Sequence, residues 1–332
     1  MHNGLTASEE QAKRLREKLE RELGETIVSA LYDAKVVEVM LNADGALWTD
    51  TLGEGMRDTG AQMSAMQAEN LLRTIASALE IVVNADHPIL EGVLPVDGSR
   101  FAGVLPPVSA RPIFSIRKRA SLIFTLDDYV RNGICTEAQA STLREALAER
   151  KNVLVVGSTG SGKTTLANAL LDHISVVDRD QRVVVIEDTA ELQCNAPNYV
   201  ALKTSDGVDM TRLLRTTLRL RPDRIVVGEV RGAEALALLK AWNTGHPGGV
   251  ATVHANNALA GLIRLEQLIA EANVQPQPQL IAEAVDVLVS IVRTPSGRRI
   301  NEIVRVNGFS PARGYDVTTI ESSTAPLAFV AA

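Results

Sequence analysis

Apolar positions along this chain follow two rhythms. In residues 7–31, Leu15, Leu19, Leu23, Ile27 and Leu31 recur at every fourth position with charges between them, which predicts an amphipathic helix. Its apolar stripe suits a core, or a membrane or partner surface. Residues 36–52, VVEVMLNADGALWTDTL, read as a hairpin, two β-rich runs meeting at the turn-prone Asn42–Gly45. A helix fits 64–80. Short β-type runs follow to about 118, including SRFAGVLPPV and RPIFSIRK. Strands and helices mix here without regular alternation, so residues 1–118 predict an α+β N-terminal domain.

Residues 119–150 read as a linker and lead-in helix, with Thr125 placed to cap Leu126-Asp127-Asp128 and CTEAQASTLREALAERK as the helix. From 151 the rhythm changes. Apolar strands at 152–156, 182–187, 199–203, 224–228 and 249–254 alternate with helices at 162–173, 209–220, 233–243 and 258–272. After PQPQ, a helix at 279–285 leads to strand 286–293 and a closing hairpin with 299–307. Such alternation predicts an α/β domain over 151–332, its sheet largely parallel and covered on both faces. The tail SSTAPLAFVAA has no periodicity, and no internal repeat is present.

Composition narrows the classes. A chain of 332 residues, 45% hydrophobic and 22% charged, suits two globular domains. A net charge of −6 and 3% aromatic residues argue against direct nucleic-acid binding by stacking or by a broad basic surface. Cys135 and Cys194 form no CxxC pair, which argues against a cysteine zinc site or a disulfide framework. The polar N-terminus lacks a signal core and no apolar run is long enough to span a bilayer, so the expectation is a cytoplasmic chain without an integral membrane span, open to peripheral attachment.

The chemistry concentrates after residue 152. GSTGSGKT fits GxxxxGK[ST] with Gly157, Gly162, Lys163 and Thr164. Glycines let the backbone close on a ligand, successive N–H groups cradle phosphate oxygens, and the following helix points its positive end at the anion. The cradle is Ser158, Thr159, Gly160, Ser161, Gly162, Lys163, Thr164 and Thr165. Lys163 serves the terminal phosphates and Thr164 can ligate Mg²⁺. The motif alone does not choose ATP over GTP. Hydrolysis also needs carboxylates, and two clusters end apolar strands: Glu187, Asp188 and Glu191 in IEDTAEL, and Glu229 in DRIVVGEV, where glycine takes the place usual for aspartate. GHPGGVATVHAN adds His246 in a glycine-rich loop and His254 at a strand end. Arg212, Arg215 and Arg219 share one helix face, suited to solvent, an interface or a partner.

Taken in order, GSTGSGKTT, VVVIEDTAEL, LRLRPDRIVVGEVRG and TGHPGGVATVHAN resemble the four boxes of the secretion-superfamily ATPases: Walker A, Asp box, an atypical Walker B with glutamate, and His box. The text is most similar to the type IV secretion and conjugative-transfer branch. The tight-adherence pilus ATPases write nearly the same boxes. A four-cysteine metal module, typical of type II secretion ATPases, is missing. The resemblance implies a RecA-like C-terminal domain, an α+β N-terminal domain and a homohexameric ring with ATP between the two domains. It also implies Arg100 and Arg117 near the phosphates, and an inner-membrane secretion or conjugation complex as partner. On that reading Lys163 holds the β- and γ-phosphates, Thr164 and Glu229 place Mg²⁺, and Glu187 or Asp188 positions the attacking water, with Glu229 as rival. His254 links the γ-phosphate site to a ring neighbour. A pilus-assembly ATPase or a DNA-translocating RecA-like motor remain the alternatives.

Overall fold

The computed structural model describes residues 7–119, 123–295 and 297–322. The chain forms two compact units, Met1–Leu122 and Ile123–Ala332.

In the first unit, α1 (Ala7–Tyr32) is interrupted at Gly24, whose φ of 79° is left-handed. Leu19, Leu23, Ile27 and Leu31 are buried, so the fourfold spacing marks a core face. They pack with Leu71, Leu72 and Ile75 of α2 (Ala65–Ala78), whose start is fixed by a capping box between Ser64 and Gln67. The sheet is antiparallel and six-stranded, in the order β3-β2-β1-β6-β5-β4. Its strands are β1 (Val36–Leu41), β2 (Ala46–Thr51), β3 (Gly55–Gln62), β4 (Ile89–Val93), β5 (Arg100–Val104) and β6 (Ile113–Arg117). The expected hairpin is β1–β2. Strand β3 was not foreseen; it is mostly exposed and carries no alternation to read.

The second unit begins with α3 (Leu126–Arg131) and α4 (Glu137–Ala148), each opened by a threonine capping box, at Thr125 and Thr136. Leu126, Tyr129, Leu143 and Leu147 belong to this unit's core. Next come β7 (Val153–Gly157), α5 (Lys163–Val177), β8 (Val183–Glu187), β9 (Tyr199–Lys203), α6 (Met210–Thr217), β10 (Arg224–Val230) and α7 (Glu234–Asn243). Then follow β11 (Val250–His254), α8 (Ala258–Ala270), α9 (Pro278–Ala284), β12 (Val287–Thr294), β13 (Gly297–Ser310) and β14 (Gly314–Ser322). The eight strands run in the order β14-β13-β12-β7-β11-β10-β8-β9. Strands β12 to β9 along that order pair in parallel, while β13 and β14 are antiparallel.

Successive residues of β7 feed opposite faces. Leu154 and Val156 enter one core with α6, α7 and α8; Val153 and Val155 enter the other with α3, α4 and α5. Two departures from the sequence expectation matter. Strand β10 continues through Val230, so Glu229 lies on the strand instead of beyond it. An additional strand, β14, pairs with β13. The tail from residue 323 lies outside the described residues.

Buried Arg224 ties the start of β10 to its surroundings. It donates to Gln181 Oε1 at 2.5 Å and to the carbonyls of Gly248 and Leu147 at 2.9 Å, and it pairs with Asp178. Burial pushes its pKa down, against the favourable Asp178 contact. A Cβ on Gly248 would come within 2.6 Å of its Nη1, which explains one glycine of GHPGG. His246 contacts the Pro222 carbonyl at 3.0 Å. That loop precedes β11, at the opposite end of the sheet from the glycine-rich turn after β7, so His246 is a structural residue.

Candidate functional site

Strand β7 ends at Gly157, and parallel pairing sets His254 directly opposite it. Between β7 and α5 the chain turns through Gly160 and Gly162, with φ of 70° and 101°. These left-handed angles favour glycine. Gly162 is the N-cap of α5 and no side chain caps the helix. The helix start therefore keeps orphan N–H groups available to an anion. Ser161 Oγ is buried without a hydrogen-bond partner, and the absence of a Cβ at Gly157 makes room for it. Lys163 is only 8% exposed. Its Nζ donates to the Ser158 carbonyl at 3.1 Å and lies 3.4 Å from each ring nitrogen of His254.

His254 in turn bridges to the acidic strand end. Its Nε2 lies 2.6 Å from Glu229 Oε1, close enough for charge contact, yet that buried oxygen gains no aligned hydrogen bond. Glu229 Oε2 accepts from Arg231 Nε at 2.8 Å. Lys163, His254, Glu229 and Arg231 thus form one chain of contacts across the ends of α5, β11 and β10. The register between β10 and β11 slips between Val227 and Val230, an irregularity that re-aims the Gly228–Glu229 step. Thr252 Oγ1 pins it by donating to the Gly228 carbonyl at 2.7 Å.

Glu187, at the end of β8, is 6% exposed. Its Oε1 accepts the backbone N–H groups of Glu191 and Leu192, both at 2.9 Å, and so shapes the loop that carries Asp188. Its side chain also occupies the space over Gly228, where a Cβ would fall 2.9 Å from Glu187 Cγ. The glycine in the usual aspartate position is thereby explained: it makes room for a glutamate from the neighbouring strand.

Asp188 lies in a cleft of about 640 Å³ whose lining includes Thr204, Asp209, Arg231, Gly232 and Glu234, so that Arg231 belongs both to the cleft and to the contact chain. Burial opposes the Arg231 charge, but the Glu229 hydrogen bond, with the charges of Glu229, Asp188 and Glu191, outweighs it and raises the guanidinium above its ordinary pKa. Glu234 Oε1 accepts the N–H groups of Arg231 and Gly232, at 2.6 and 2.8 Å, fixing the turn into α7.

Of the residues the sequence nominated, Lys163, His254 and Glu229 touch one another, Glu187 packs over the neighbouring Gly228, and Thr164 and Thr165 lie on the first turn of α5. Asp188 shares its cleft with Arg231 and meets the group through that guanidinium's charge. In the other unit, Arg100 and Arg117 are cross-strand partners on β5 and β6, and Glu38 of β1 faces Arg117. Two residues went unnoticed in the sequence. Arg231 follows Glu229 by two positions, just past the end of β10 at Val230, and a basic residue so close to a nominated acid could have flagged it. Arg298 reaches the Gly160 carbonyl across 138 residues, and no local pattern announces it.

The residues fit a nucleoside triphosphate: an uncapped helix start, a glycine turn, a buried lysine and an orphaned buried hydroxyl converge. Mg²⁺ fits more loosely. Among the described residues no group of three or more His, Cys, Asp and Glu side chains forms a metal cage, but a phosphate-bound Mg²⁺ needs only one or two protein oxygens. Both Glu229 oxygens face cationic or imidazole nitrogen, so metal binding there requires one contact to open.

The profile of the type II/IV secretion system protein family matches residues 21–318. The chain is 55% identical over 304 residues to the probable conjugal transfer protein TrbB of Sinorhizobium fredii, covering 92% of this chain and 93% of that one. It is 30% identical over 328 residues to the type IV secretion system protein VirB11 of Bartonella henselae, covering 84% and 90%. Among solved structures, the pilus retraction motor PilT aligns with a TM-score of 0.60 at 18% identity, covering 90% of this chain and 83% of that one. The Legionella pneumophila ATPase DotB gives 0.58 at 18%, with 90% and 80% covered. These two likenesses speak to the α/β fold alone. From the sequence relatives and the profile together, the chain belongs to the type II/IV secretion system protein family.

Proposed function

We propose that this chain is the ATP-hydrolysing motor of a conjugative or type IV secretion apparatus, working as a homohexameric ring beside inner-membrane partners. The relatives support the conjugative branch. Among the described residues no helix is long and apolar enough to cross a membrane, so attachment would be through partners or a surface. The parallel sheet carrying its glycine turn after β7 supports a RecA-like arrangement of the second unit.

The observation that carries the reading is the contact chain Lys163–His254–Glu229 beside the uncapped start of α5. Bound ATP supplies a phosphoanhydride whose cleavage releases the energy, and Mg²⁺ neutralises its charge. The amides of Ser158–Thr165 bind the phosphates, and Lys163 leaves the Ser158 carbonyl to pair with the terminal ones. The Thr164 hydroxyl is assigned to the metal, with Glu229 as its second oxygen source. Glu187 orders the loop bearing Asp188, and either acid, with Glu229 as rival, orients water. His254 would sense whether a phosphate draws Lys163 away, since it touches both Lys163 and Glu229. Arg100 and Arg117, cross-strand partners on β5 and β6, are assigned the neutralising cations, as the family resemblance implies. Phosphoryl transfer relies on such positioning and charge neutralisation.

The test is phosphate release by purified chain with ATP and Mg²⁺. Lys163→Ala is expected to lower turnover at least ~100-fold; near-normal turnover would refute the site. Sedimentation with ATP tests the ring, and a persistent monomer would refute the motor.

A further inference from the structure

A loop whose N–H groups converge on an anion turns carbonyls outward, and an outward carbonyl needs a donor. For Gly160 that donor is Arg298, whose Nε lies 3.3 Å from the carbonyl oxygen. Arg298 sits near the start of β13, just after the turn from β12. Its stem runs along the glycine face of the loop. A Cβ on Gly162 would meet Arg298 Cδ at 2.9 Å and Nε at 3.3 Å. Gly162 is thus required twice, by its φ and by this arginine. Among the described residues the terminal nitrogens of Arg298 have no hydrogen-bond or ion-pair partner. Its cross-strand neighbour is another cation, Arg293. Like charges directly opposite are unfavourable in a sheet. A half-buried guanidinium is therefore held against the phosphate loop by one nitrogen, with its remaining donors uncommitted and no counter-ion among the described residues.

We propose that Arg298 is a phosphate-contacting residue of the nucleotide site, supplied by the closing hairpin of the same unit. It rests on the reading of the glycine turn as a nucleotide site. Nε braces Gly160 and the terminal N–H groups take oxygens of the α- and β-phosphates, for which the planar fork is suited. The division of labour follows from placement. Lys163 works from the Ser158 and His254 side, toward the terminal phosphate. Arg298 works from the Gly160–Gly162 side. Its contribution is accordingly the same for ADP as for ATP.

The experiment measures equilibrium binding of ADP and ATP, with a fluorescent nucleotide as probe, to the full chain and to Arg298→Ala, Arg298→Gln and Arg298→Lys. The expected result is a loss of affinity of roughly 10–100-fold for Ala and Gln, equal within about threefold for the two nucleotides. Arg298→Lys, which keeps the charge without the fork, recovers only part of it, and the Ala variant shows a shallower salt dependence. The melting temperature without nucleotide, measured alongside, separates misfolding from lost binding. A change under about twofold in Ala and Gln overturns the proposal. So does a loss in Ala with the salt dependence of binding unchanged, which would leave Arg298 a brace only. A wild-type chain that binds neither nucleotide refutes the site reading itself and this proposal with it; normal wild-type binding without dependence on Arg298 refutes this proposal alone.

Discussion

The side chain of Glu187 lies across Gly228, with a Cβ at residue 228 falling 2.9 Å from Glu187 Cγ and 3.0 Å from Oε1. Two parallel strands therefore share one space, and the glycine belongs to the glutamate. Gly228→Ala is expected to force Glu187 aside, costing about 1–3 kcal/mol in urea unfolding. Turnover should fall by roughly tenfold while ADP still binds. An alanine variant with wild-type stability and turnover would show that the space is shared loosely.

Glu187 also holds its own loop. Glu187→Ala leaves the N–H groups of Glu191 and Leu192 without their acceptor, which should cost about 1–3 kcal/mol. Glu187→Gln keeps a carbonyl acceptor and should stay within about 1 kcal/mol of wild type. Phosphate release from the Gln variant then reports the chemical role of the carboxylate separately from its structural one.

His254 stands between a cation and an anion. His254→Ala should lower kcat by on the order of 10-fold to 100-fold and leave KM within about threefold, since the phosphate cradle is untouched. A rise in KM at constant kcat would assign His254 to substrate binding instead.

Arg224 is wholly buried and supports three segments at once. Arg224→Ala should destabilise the second unit by about 3–5 kcal/mol, because Asp178 and two carbonyls lose their donor. Gly248→Ala should act in the same direction by crowding the guanidinium. Calorimetry of both variants checks this.

Burial pushes the Cys135 thiol up to about 11 and raises Cys194 as well. Both stay protonated at pH 8 in the folded chain, so a thiol-specific reagent should label them slowly there and rapidly in urea. The sign for stability follows. The folded state holds the Cys135 proton more tightly than the unfolded state, so its contribution is complete below about pH 8.5, the ordinary thiol value, and is lost as pH rises toward 11. Rapid native labelling at pH 8 would contradict the burial.

The sequence by itself determined the phosphate loop, the alternating second unit and the helix face of α1. Each is written in contiguous residues: amides, glycines and Lys163 lie within one short stretch, and Leu19, Leu23 and Ile27 repeat at the pitch of a helix. It also nominated Glu229 and His254, because apolar strands end beside them. Tertiary structure alone decided what those residues touch. Strands β3 and β14 escaped notice because partly solvated strands need little hydrophobic alternation. The reason for Gly228 lies on a neighbouring strand, and the donor to Gly160 lies 138 residues away. A local backbone requirement leaves a trace in neighbouring letters, whereas a space filled or a carbonyl satisfied by a distant side chain exists only once strand order and register have brought the two together.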